Sequence, residues 1–321
     1  MDVRAGLDGL RRLPAGAVLT IGNFDGVHRG HRRILDLCRT TATTLGGRPV
    51  AVATFEPHPL TVLRPELAPP RLTHSQVKEQ RLAAAGADHL VVLPPTPDVL
   101  GLTAEAFWAI LRDEARVAHL VEGETFTFGK GRGGTVDRLR EWSSAAGVGL
   151  TVASPAEAVL TDLAVAPVSS SLVRWLLGHG RARDAAICLG RPYGLRGEVV
   201  RGFQRGRTID VPTANLGCGD QLIPLDGVYA GRCEVDGVDY PAALSIGDLP
   251  TFAERAHQVE AHLIGFKGDL YGRTIEVRVT DWLREQWKFD GLEPLKAQIA
   301  RDLSRTRELF GREPARELAR V

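Results

Sequence analysis

The residues most able to do chemistry stand early in the chain, in residues 20–35, TIGNFDGVHRGHRRIL, where His28 and His31 lie around Gly30. If a strand ends here and a helix begins, the first N–H groups of the helix lack intrahelical partners and can bind an anion. Gly26 permits an unusual backbone angle, and Gly30 lets a ligand approach the backbone closely. Each imidazole adds a side-chain N–H donor. The stretch therefore favours a turn that grips a phosphate chain.

The histidine pair could also serve as a metal ligand set or as simple packing, and these residues alone leave both roles open. Side chains at i and i+3 could chelate a divalent metal, but a closed zinc site needs further ligands, and no cysteine or acidic cluster stands nearby. Alternatively, one or both rings could pack at the start of a helix without binding anything. The role of the histidine pair therefore has to be decided from the rest of the sequence.

A second stretch of similar character stands at residues 167–177, PVSSSLVRWLL. Ser169, Ser170 and Ser171 are N-cap candidates for an amphipathic helix, which again presents N–H groups without intrahelical partners. Arg174 follows closely, and its guanidinium offers a fixed fork of donors that matches phosphate oxygens. Taken alone, the stretch is more typical of an ordinary capped helix with a solvated arginine. Together with the histidine pair, it favours a second phosphate contact.

The elements that must position these residues follow from a regular alternation in the first half of the chain. Short apolar runs typical of strands stand at residues 17–22, 49–55, 89–95, 116–123 and 149–155. Helical periodicity is found at residues 30–45, 74–86, 103–114 and 134–146. This alternation predicts βαβ units and a parallel sheet with helices on both faces. Ligands bind such sheets at the carboxyl ends of the strands, where the histidine pair is expected.

After residue 180 the pattern changes to short alternating strands. Such runs stand at residues 193–203, 227–247, 257–266 and 273–283. The second run contains EVDG at 234–237, an Asp-Gly turn between alternating segments and a strong hairpin signal. A helical pattern follows at 292–308. This half therefore predicts an antiparallel sheet or small barrel closed by a C-terminal helix, with the joint between the halves near 178–192.

Composition narrows the class of protein. The 321 residues carry a net charge of +1, with 44% hydrophobic and 25% charged residues, as in ordinary globular proteins of two domains. The balanced charge argues against nucleic acid as a partner. The four cysteines show no CxxC spacing, so neither a disulfide framework nor a zinc knuckle is predicted. Because no leader or membrane-spanning stretch is evident, the expected location is the cytoplasm, with no membrane partner.

Several motifs together resemble one known family. The HxGH and SSTxxR signatures of the nucleotidylyltransferase superfamily are similar to GNFDGVHRGH and SSSLVR. More narrowly, this chain resembles the N-terminal module of the prokaryotic bifunctional riboflavin kinase/FAD synthetases. The stretches that carry this resemblance are TIGNFDGVHRGH, TFEPHP, FTFGKGRGG and VSSSLVR. The second half of the chain resembles the kinase module of that family. It contains, in the order typical of the family, GEVVRGFQRGRTIDVPTANL, VEAHLIGF and LREQWKFDGLEPLKAQIARD. The resemblance covers nearly the whole chain.

The resemblance implies two modules with two activities. Residues 1–183 would form a Rossmann-like nucleotidylyltransferase domain with a parallel sheet, the FMN adenylyltransferase or FAD synthetase. Residues 184–321 would form a small antiparallel β-barrel with a C-terminal helix, the riboflavin kinase. The chain would phosphorylate riboflavin to FMN and adenylylate FMN to FAD. Its partners would be riboflavin, FMN, FAD, ATP and ADP, with ATP as co-substrate and Mg²⁺ as cofactor; whether it forms a homo-oligomer stays open.

In the adenylyltransferase module, the resemblance assigns His28 and His31 to adenylyl transfer itself. The residues that would bind ATP and its phosphates are Gly22, Asn23, Gly30, Ser169, Ser170, Ser171 and Arg174. Phe126 and Phe128 would contact the flavin. The family usually has Asn or Asp where this chain has Thr125, so turnover in this module is less secure than binding.

In the kinase module, the resemblance makes Glu260 of VEAH the base that takes the proton of the riboflavin hydroxyl. Thr213 and Asn215 of PTAN would be oxygen ligands of Mg²⁺, with Thr213 also at the nucleotide. Gly202 and Gly206 would shape a flap over the phosphates, and Arg284 would lie near the flavin.

One further departure falls in the kinase module, where the family commonly has Gly in place of Asp210. A carboxylate there could weaken nucleotide binding. Two alternatives to the bifunctional enzyme follow from the departures at 125 and 210: a chain with only one active module, or a weakly catalytic flavin- or nucleotide-binding protein with a regulatory role.

Overall fold

The computed structural model describes residues 1–201, 211–247 and 258–311. Its contacts divide the chain into two compact units, Met1–Glu157 and Ala158–Val321, and each is described by itself. The boundary expected from the sequence, between 183 and 184, stays a prediction about functional modules.

The first unit contains a six-stranded parallel sheet. In chain order its strands are β1 (Asp2–Ala5), β2 (Val18–Gly22), β3 (Val50–Phe55), β4 (His89–Leu93), β5 (His119–Gly123) and β8 (Gly149–Ala153). Their spatial order is β1-β4-β3-β2-β5-β8, and every neighbouring pair is parallel. A two-stranded antiparallel hairpin, β6 (Thr127–Phe128) with β7 (Gly134–Thr135), follows β5.

Helices connect the strands of this sheet. They are α1 (Gly6–Arg11), α2 (Arg29–Thr44), α3 (Leu60–Leu63), α4 (Ser75–Ala84), α5 (Pro97–Leu100), α6 (Ala104–Ala109) and α7 (Val136–Ala146). A π-helical turn, Ile110–Glu114, extends α6, and short 3₁₀ turns occupy Pro65–Leu67 and Lys130–Arg132. The predicted strand and helical segments of the first half are all found, and β1 at the edge of the sheet is an addition that the sequence analysis missed.

The core of the first unit explains why its strands form. Strand β3, VAVATF, is buried along nearly its whole length, as expected for a parallel strand covered on both faces. On one face Leu19, Ile21 and Ala53 pack with Phe107 and Trp108. The opposite face carries separate clusters, one with Phe24, Leu35 and Val52 and another with Val18, Cys38 and Val50. Helices on both faces of the sheet, as predicted, bury its alternating side chains.

The second unit is built around a closed antiparallel barrel. Its strands are β11 (Tyr193–Val200), β12 (Ala214–Gly217), β13 (Gly227–Val235), β14 (Val238–Gly247), β15 (Gln258–Leu263) and β16 (Thr274–Arg284), in the spatial order β11-β12-β15-β14-β13-β16. Helix α10 (Leu292–Gly311) follows β16 and lies against β13 and β14. A ribbon of β9 (Glu157–Val159) and β10 (Val165–Pro167) leads into α8 (Ser170–Gly178) and α9 (Ala182–Leu189).

The predicted hairpin joins β13 and β14. Asp236 and Gly237 both have positive φ, 52° and 78°, as a type I′ turn requires. Alternate residues of the barrel strands, such as Val259, Ala261 and Leu263 in β15, point into the interior and are buried. The predicted fold class is therefore confirmed: a parallel sheet, an antiparallel barrel and a C-terminal helix. The segment expected to be the joint, 178–192, contains α9.

Candidate active sites

The parallel sheet has one place where its strand order reverses. From β2 the chain proceeds outward through β3 and β4, while β5 lies on the other side of β2 and leads to β8. Pairing of β2 with β3 continues to Gly22 opposite Thr54, but pairing of β2 with β5 stops at Leu19 opposite Leu120. The carboxyl ends of β2 and β5 therefore separate. Open α/β sheets bind ligands in the crevice at such a switch point.

A buried carboxyl group bridges the two strands where they separate. The backbone N–H of Ile21 in β2 donates to Oε1 of Glu122 in β5 at 2.9 Å, and Glu122 is 1% exposed. Burial raises the pKa of Glu122 well above its ordinary value, although the bond from Ile21 opposes the shift. The side chain supplies the acceptor that strand pairing would otherwise provide. Sequence analysis missed this residue, because a single Glu in an apolar run gives no motif.

The turn between β2 and α2 contains three residues in the left-handed region. Phe24, Gly26 and Val27 have φ of 46°, 84° and 41°. Glycine adopts this conformation freely, whereas Phe24 and Val27 are strained there and need their surroundings to hold them. Both side chains are almost fully buried. The carboxylate of Asp25 also accepts the backbone N–H of Leu72 at 2.9 Å, which ties the turn to a neighbouring loop.

His28 and His31 lie at the start of α2, as the sequence predicts. His28 is the N-cap, and its Nδ1 accepts the backbone N–H of His31 at 3.4 Å. Because Nδ1 accepts, the neutral ring carries its proton on Nε2, which is then a donor. The two rings stack with centroids 3.6 Å apart and planes 18° apart. His28 is 5% exposed and His31 is half-buried, so the pair is packed as well as placed at the helix end.

The rest of the predicted phosphate turn lies beside this pair. Gly22, Asn23 and Gly30 are all half-buried, at the end of β2, in the turn and in the first turn of α2. As for the metal role, the described parts of the chain contain no group of three or more His, Cys, Asp or Glu residues that could hold an ion.

The turn after β5 carries the predicted flavin segment. A cavity of about 360 Å³ is lined here by Thr125, Phe126, Asp137 and Arg140, among others. Phe126 is half-buried and stacks on Phe128, with centroids 5.5 Å apart. Phe128 itself is 8% exposed and packs in the core. Of the two predicted flavin contacts, Phe126 therefore faces the cavity and Phe128 supports it from behind.

The predicted serine-capped helix is α8, which belongs to the second compact unit. Ser169 is its N-cap and accepts the backbone N–H of Leu172 at 3.1 Å. Ser170 is half-buried and Ser171 is exposed in the first turn, and Arg174 is half-buried. The local structure is the one that the serines predict.

The barrel brings two of the predicted kinase residues, Glu260 and Asn215, onto one face. Glu260 in β15 lies directly opposite Asn215 in β12 and Ser245 in β14. Its neighbours Val259 and Ala261 are buried in the interior, so the half-buried Glu260 points to the outer face. Residues directly opposite on antiparallel strands have Cβ atoms about 4.5–5.5 Å apart. A carboxylate, an amide and a hydroxyl thus form a row across three strands, and the half-buried Thr213 lies two residues before Asn215.

Two further contacts support this row, and the sequence analysis missed both. The Nδ1–H of His262 donates to the carbonyl of Pro212 at 2.7 Å, which links VEAH to PTAN directly. The side-chain amide of Gln286 donates to Oγ of Ser245 at 2.9 Å. His262 and Gln286 both stand within the quoted motifs, but only the structure shows which atoms they contact.

Arg284, a predicted flavin residue, makes an ion pair with Asp302 of α10. Its Nη2 lies 2.8 Å from Oδ2 of Asp302, and both side chains are largely buried. Its Nη1 donates to the carbonyl of Glu285. The guanidinium also lies 4.9 Å from the ring centre of Trp287, which is half-exposed. Arg284 therefore anchors the segment after β16 to α10, and any contact with the flavin stays a prediction. Gly202, Gly206 and Asp210 lie outside the described residues.

Within residues 1–201, 211–247 and 258–311, every helix is too short or too polar to span a lipid bilayer.

Comparison with known proteins gives consistent matches along the chain. The family model for FAD synthetase matches residues 10–165, and the one for riboflavin kinase matches residues 189–310. A solved structure described as a macrolide-efflux protein from Streptococcus pneumoniae matches with a TM-score of 0.85 and 28% identity, over 96% of this chain and 99% of that one.

Curated relatives cover almost the full length. The bifunctional riboflavin kinase/FMN adenylyltransferase of Escherichia coli is 38% identical over 97% of this chain and 98% of its own. The proteins of the same name from Pseudomonas fluorescens and Bacillus subtilis are 38% and 33% identical, with coverage of 96% and 90% of this chain and 98% and 90% of theirs. The chain therefore belongs to the family of bifunctional riboflavin kinase/FMN adenylyltransferases.

Proposed function

We propose that this chain phosphorylates riboflavin to FMN in its C-terminal part and adenylylates FMN to FAD in its N-terminal part, with ATP as co-substrate in both steps. The observation that carries the proposal is the outer face of the barrel, where Glu260 lies opposite Asn215 in a chain of this family. A carboxylate beside oxygen donors suits the activation of a hydroxyl next to a nucleotide phosphate.

In the kinase step, Glu260 takes the proton of the riboflavin 5′-hydroxyl as that oxygen attacks the γ-phosphorus of ATP. The bond from this phosphorus to the bridging oxygen breaks, and ADP leaves. Most of the rate enhancement in phosphoryl transfer comes from positioning and charge stabilisation. Asn215, in register with Glu260, and Thr213 near it set where the phosphates can lie relative to the base.

Mg²⁺ is the metal that we propose for this site. The amide oxygen of Asn215 and the hydroxyl of Thr213 are hard oxygen ligands of the kind that Mg²⁺ accepts, and this ion usually completes its shell with water and substrate phosphates. A site with few protein oxygens therefore fits it. When bound, the ion neutralises phosphate charge.

In the adenylyl step, a phosphate oxygen of FMN attacks the α-phosphorus of ATP and pyrophosphate leaves. No enzyme nucleophile is needed, so donors aimed at the phosphates carry the catalysis. His28 donates through Nε2–H, and His31 and the N-terminal amides of α2 add further donors. We assign Gly22, Asn23 and Gly30 to the same phosphates. Ser169, Ser170, Ser171 and Arg174 are proposed for the pyrophosphate.

The flavin of FMN is proposed to occupy the cavity beside Phe126. Thr125 lines this cavity and is exposed, so its hydroxyl can meet the substrate, with a shorter reach than an amide or carboxylate would have. Arg284 is proposed to contact the flavin of riboflavin, and the same guanidinium lies over the ring of Trp287 in the segment after β16.

The test uses purified full-length chain with ATP and Mg²⁺, and resolves flavins chromatographically. Riboflavin should give FMN and then FAD, and supplied FMN should give FAD. FMN alone would mean that only the kinase is active, and FAD from FMN without FMN from riboflavin would mean the reverse. Neither product would favour a flavin- or nucleotide-binding protein.

We also propose a cytoplasmic location and no nucleic-acid partner. Support comes from four buried cysteines in the thiol form, which suit a reducing compartment, and from a net charge of +1.

A further inference from the structure

A buried lysine lies behind the phosphate turn of the first unit. Lys78 in α4 is 4% exposed. Its Nζ lies 2.6 Å from Oε2 of Glu56, 3.2 Å from the carbonyl oxygen of Phe55 and 3.4 Å from that of Asn23. Burying an ammonium group is unfavourable unless it is paired and hydrogen-bonded, and this one is both. Because a buried ion pair often adds little net stability, stability alone does not explain why Lys78 lies at this position.

The lysine joins the carboxyl ends of two neighbouring strands. Phe55 ends β3, and Asn23 follows the last residue of β2. The Asn23 carbonyl also accepts the hydroxyl of Thr54 at 3.0 Å. Two donors, one from α4 and one from β3, therefore converge on the peptide at which the phosphate turn begins.

This peptide matters because the turn that it opens is strained. Phe24 and Val27, which follow it, have positive φ without being glycine. Such conformations persist only where neighbouring groups over-determine them. The direction of the Asn23 carbonyl sets where the next N–H groups and the cap residue His28 point. A shift of about 1 Å in such groups can reduce a rate about a hundredfold.

We propose that Lys78 is a positioning residue for adenylyl transfer, which holds the peptide of Asn23, and with it the turn to His28, in the conformation that receives the ATP phosphates. It acts through the turn and does not touch the reacting atoms. This inference rests on the proposed adenylyltransferase function of the first unit. Glu56 orients the ammonium, and Arg71, 3.3 Å from its other oxygen, keeps Glu56 paired if the lysine is replaced.

The test is K78M in the full-length chain, which keeps the length of the side chain and removes the charge. FAD formation from FMN, ATP and Mg²⁺ should lose about 10- to 100-fold in kcat, with little change in the KM for FMN. FMN formation from riboflavin by the same sample should keep its wild-type rate. The matched control is R112M, which removes a cation from an exposed pair with Asp113 in the same unit and should change neither rate.

The measured rates decide whether Lys78 has this positioning role. Wild-type kcat for FAD formation in folded K78M overturns the inference, whereas absence of FAD formation in the wild-type chain would overturn the proposed function itself. If K78M does not fold, as judged by thermal unfolding, T54V decides alone. It removes the second donor to the Asn23 carbonyl, a hydroxyl that also lies 3.4 Å from Nζ of Lys78, with almost no change of shape. A several-fold loss of adenylyl transfer with an unchanged Tm supports the inference, and an unchanged rate contradicts it.

Discussion

In this chain, the packing of a side chain decides which of its polar atoms are left to meet a substrate. His28 shows this most directly, because its Nδ1 caps α2 and thereby leaves the proton on Nε2. Glu260 shows it through register, because the alternation of β15 turns its carboxylate outward beside Asn215. Glu122 shows the opposite case, a carboxyl turned inward to a backbone N–H, where burial favours its uncharged form.

Replacing the proposed base with its amide should separate the two activities. E260Q keeps the shape of the side chain but cannot accept the hydroxyl proton, so riboflavin phosphorylation should fall by about 10²- to 10⁴-fold. FAD formation from supplied FMN should be unchanged, as measured by chromatography of both reactions. E234Q, on an exposed position of β13, is the control and should leave both rates intact. A kinase rate near wild type in E260Q would remove Glu260 from the base role.

Removing the titration of Glu122 should change how stability depends on pH. Since burial raises its pKa in the folded state, the folded chain keeps a proton that the unfolded chain has lost above its ordinary pKa. The free energy of unfolding therefore falls as the pH rises through that window. E122Q does not titrate, so its stability relative to wild type should rise with pH above about 4.

Urea unfolding at several pH values measures this difference. E124Q, two residues further on and exposed, should follow the wild-type profile. Parallel profiles for E122Q and wild type would show that Glu122 has no raised pKa in the folded chain.

At the scale of elements, both candidate sites depend on how neighbouring strands pair and where that pairing stops. In the sheet, β2 and β5 separate after two paired positions, and the turns that follow them carry the histidines and the flavin segment. In the barrel, β12, β15 and β14 stay in register, so that their outward residues form a row. The short link from His262 to Pro212 fixes the entry of the chain into β12.

This link predicts a second effect on the kinase. H262A removes the donor to the Pro212 carbonyl and lets Thr213 shift, so the kinase kcat should fall about tenfold. H262N offers an amide N–H near the position of Nδ1 and should recover most of the rate. FAD formation from FMN serves as the internal control. Equal kinase rates in H262A and wild type would mean that the link has no part in positioning Thr213.

At the scale of the whole molecule, the chain folds into two compact units of different architecture. The family models also match two successive parts of the chain, FAD synthetase over residues 10–165, which extends past the unit boundary at Glu157, and riboflavin kinase over residues 189–310. We therefore expect a substitution in the residues of one reaction to change the rate of that reaction and to leave the rate of the other unchanged.

Changes at the histidine pair should confirm that independence. H28A and H28N both remove the imidazole donor, so both should reduce FAD formation by an expected 10- to 100-fold, about 1.4–2.8 kcal/mol of transition-state stabilisation. Riboflavin phosphorylation should be retained in both. Only H28A loses the N-cap, at about 1 kcal/mol of stability, because asparagine is itself a good cap. Equal loss of both activities in folded H28N would contradict separate sites.

Much of this architecture is legible in the sequence because it depends on local patterns. Apolar runs predicted most strands of the sheet and the barrel, although β1 and β12 were missed, and an Asp-Gly pair predicted the β13–β14 hairpin. Two glycines and a histidine pair after an apolar run predicted the turn into α2, whereas the capping role of His28 came from the structure. These features depend on backbone preferences and on periodicity over a few residues. The family motifs added the chemistry of Glu260, Thr213 and Asn215.

What only the tertiary structure decided is which distant atoms meet. The bond from Ile21 to Glu122, the contact of Lys78 with Asn23 and the pairing of Arg284 with Asp302 each join residues from different elements. Local sequence does not encode them, because strand register, burial and side-chain direction are set when separate elements pack together. The sequence by itself therefore determined the elements and the reactive groups, whereas packing decided how those groups are held and which of their atoms face a substrate.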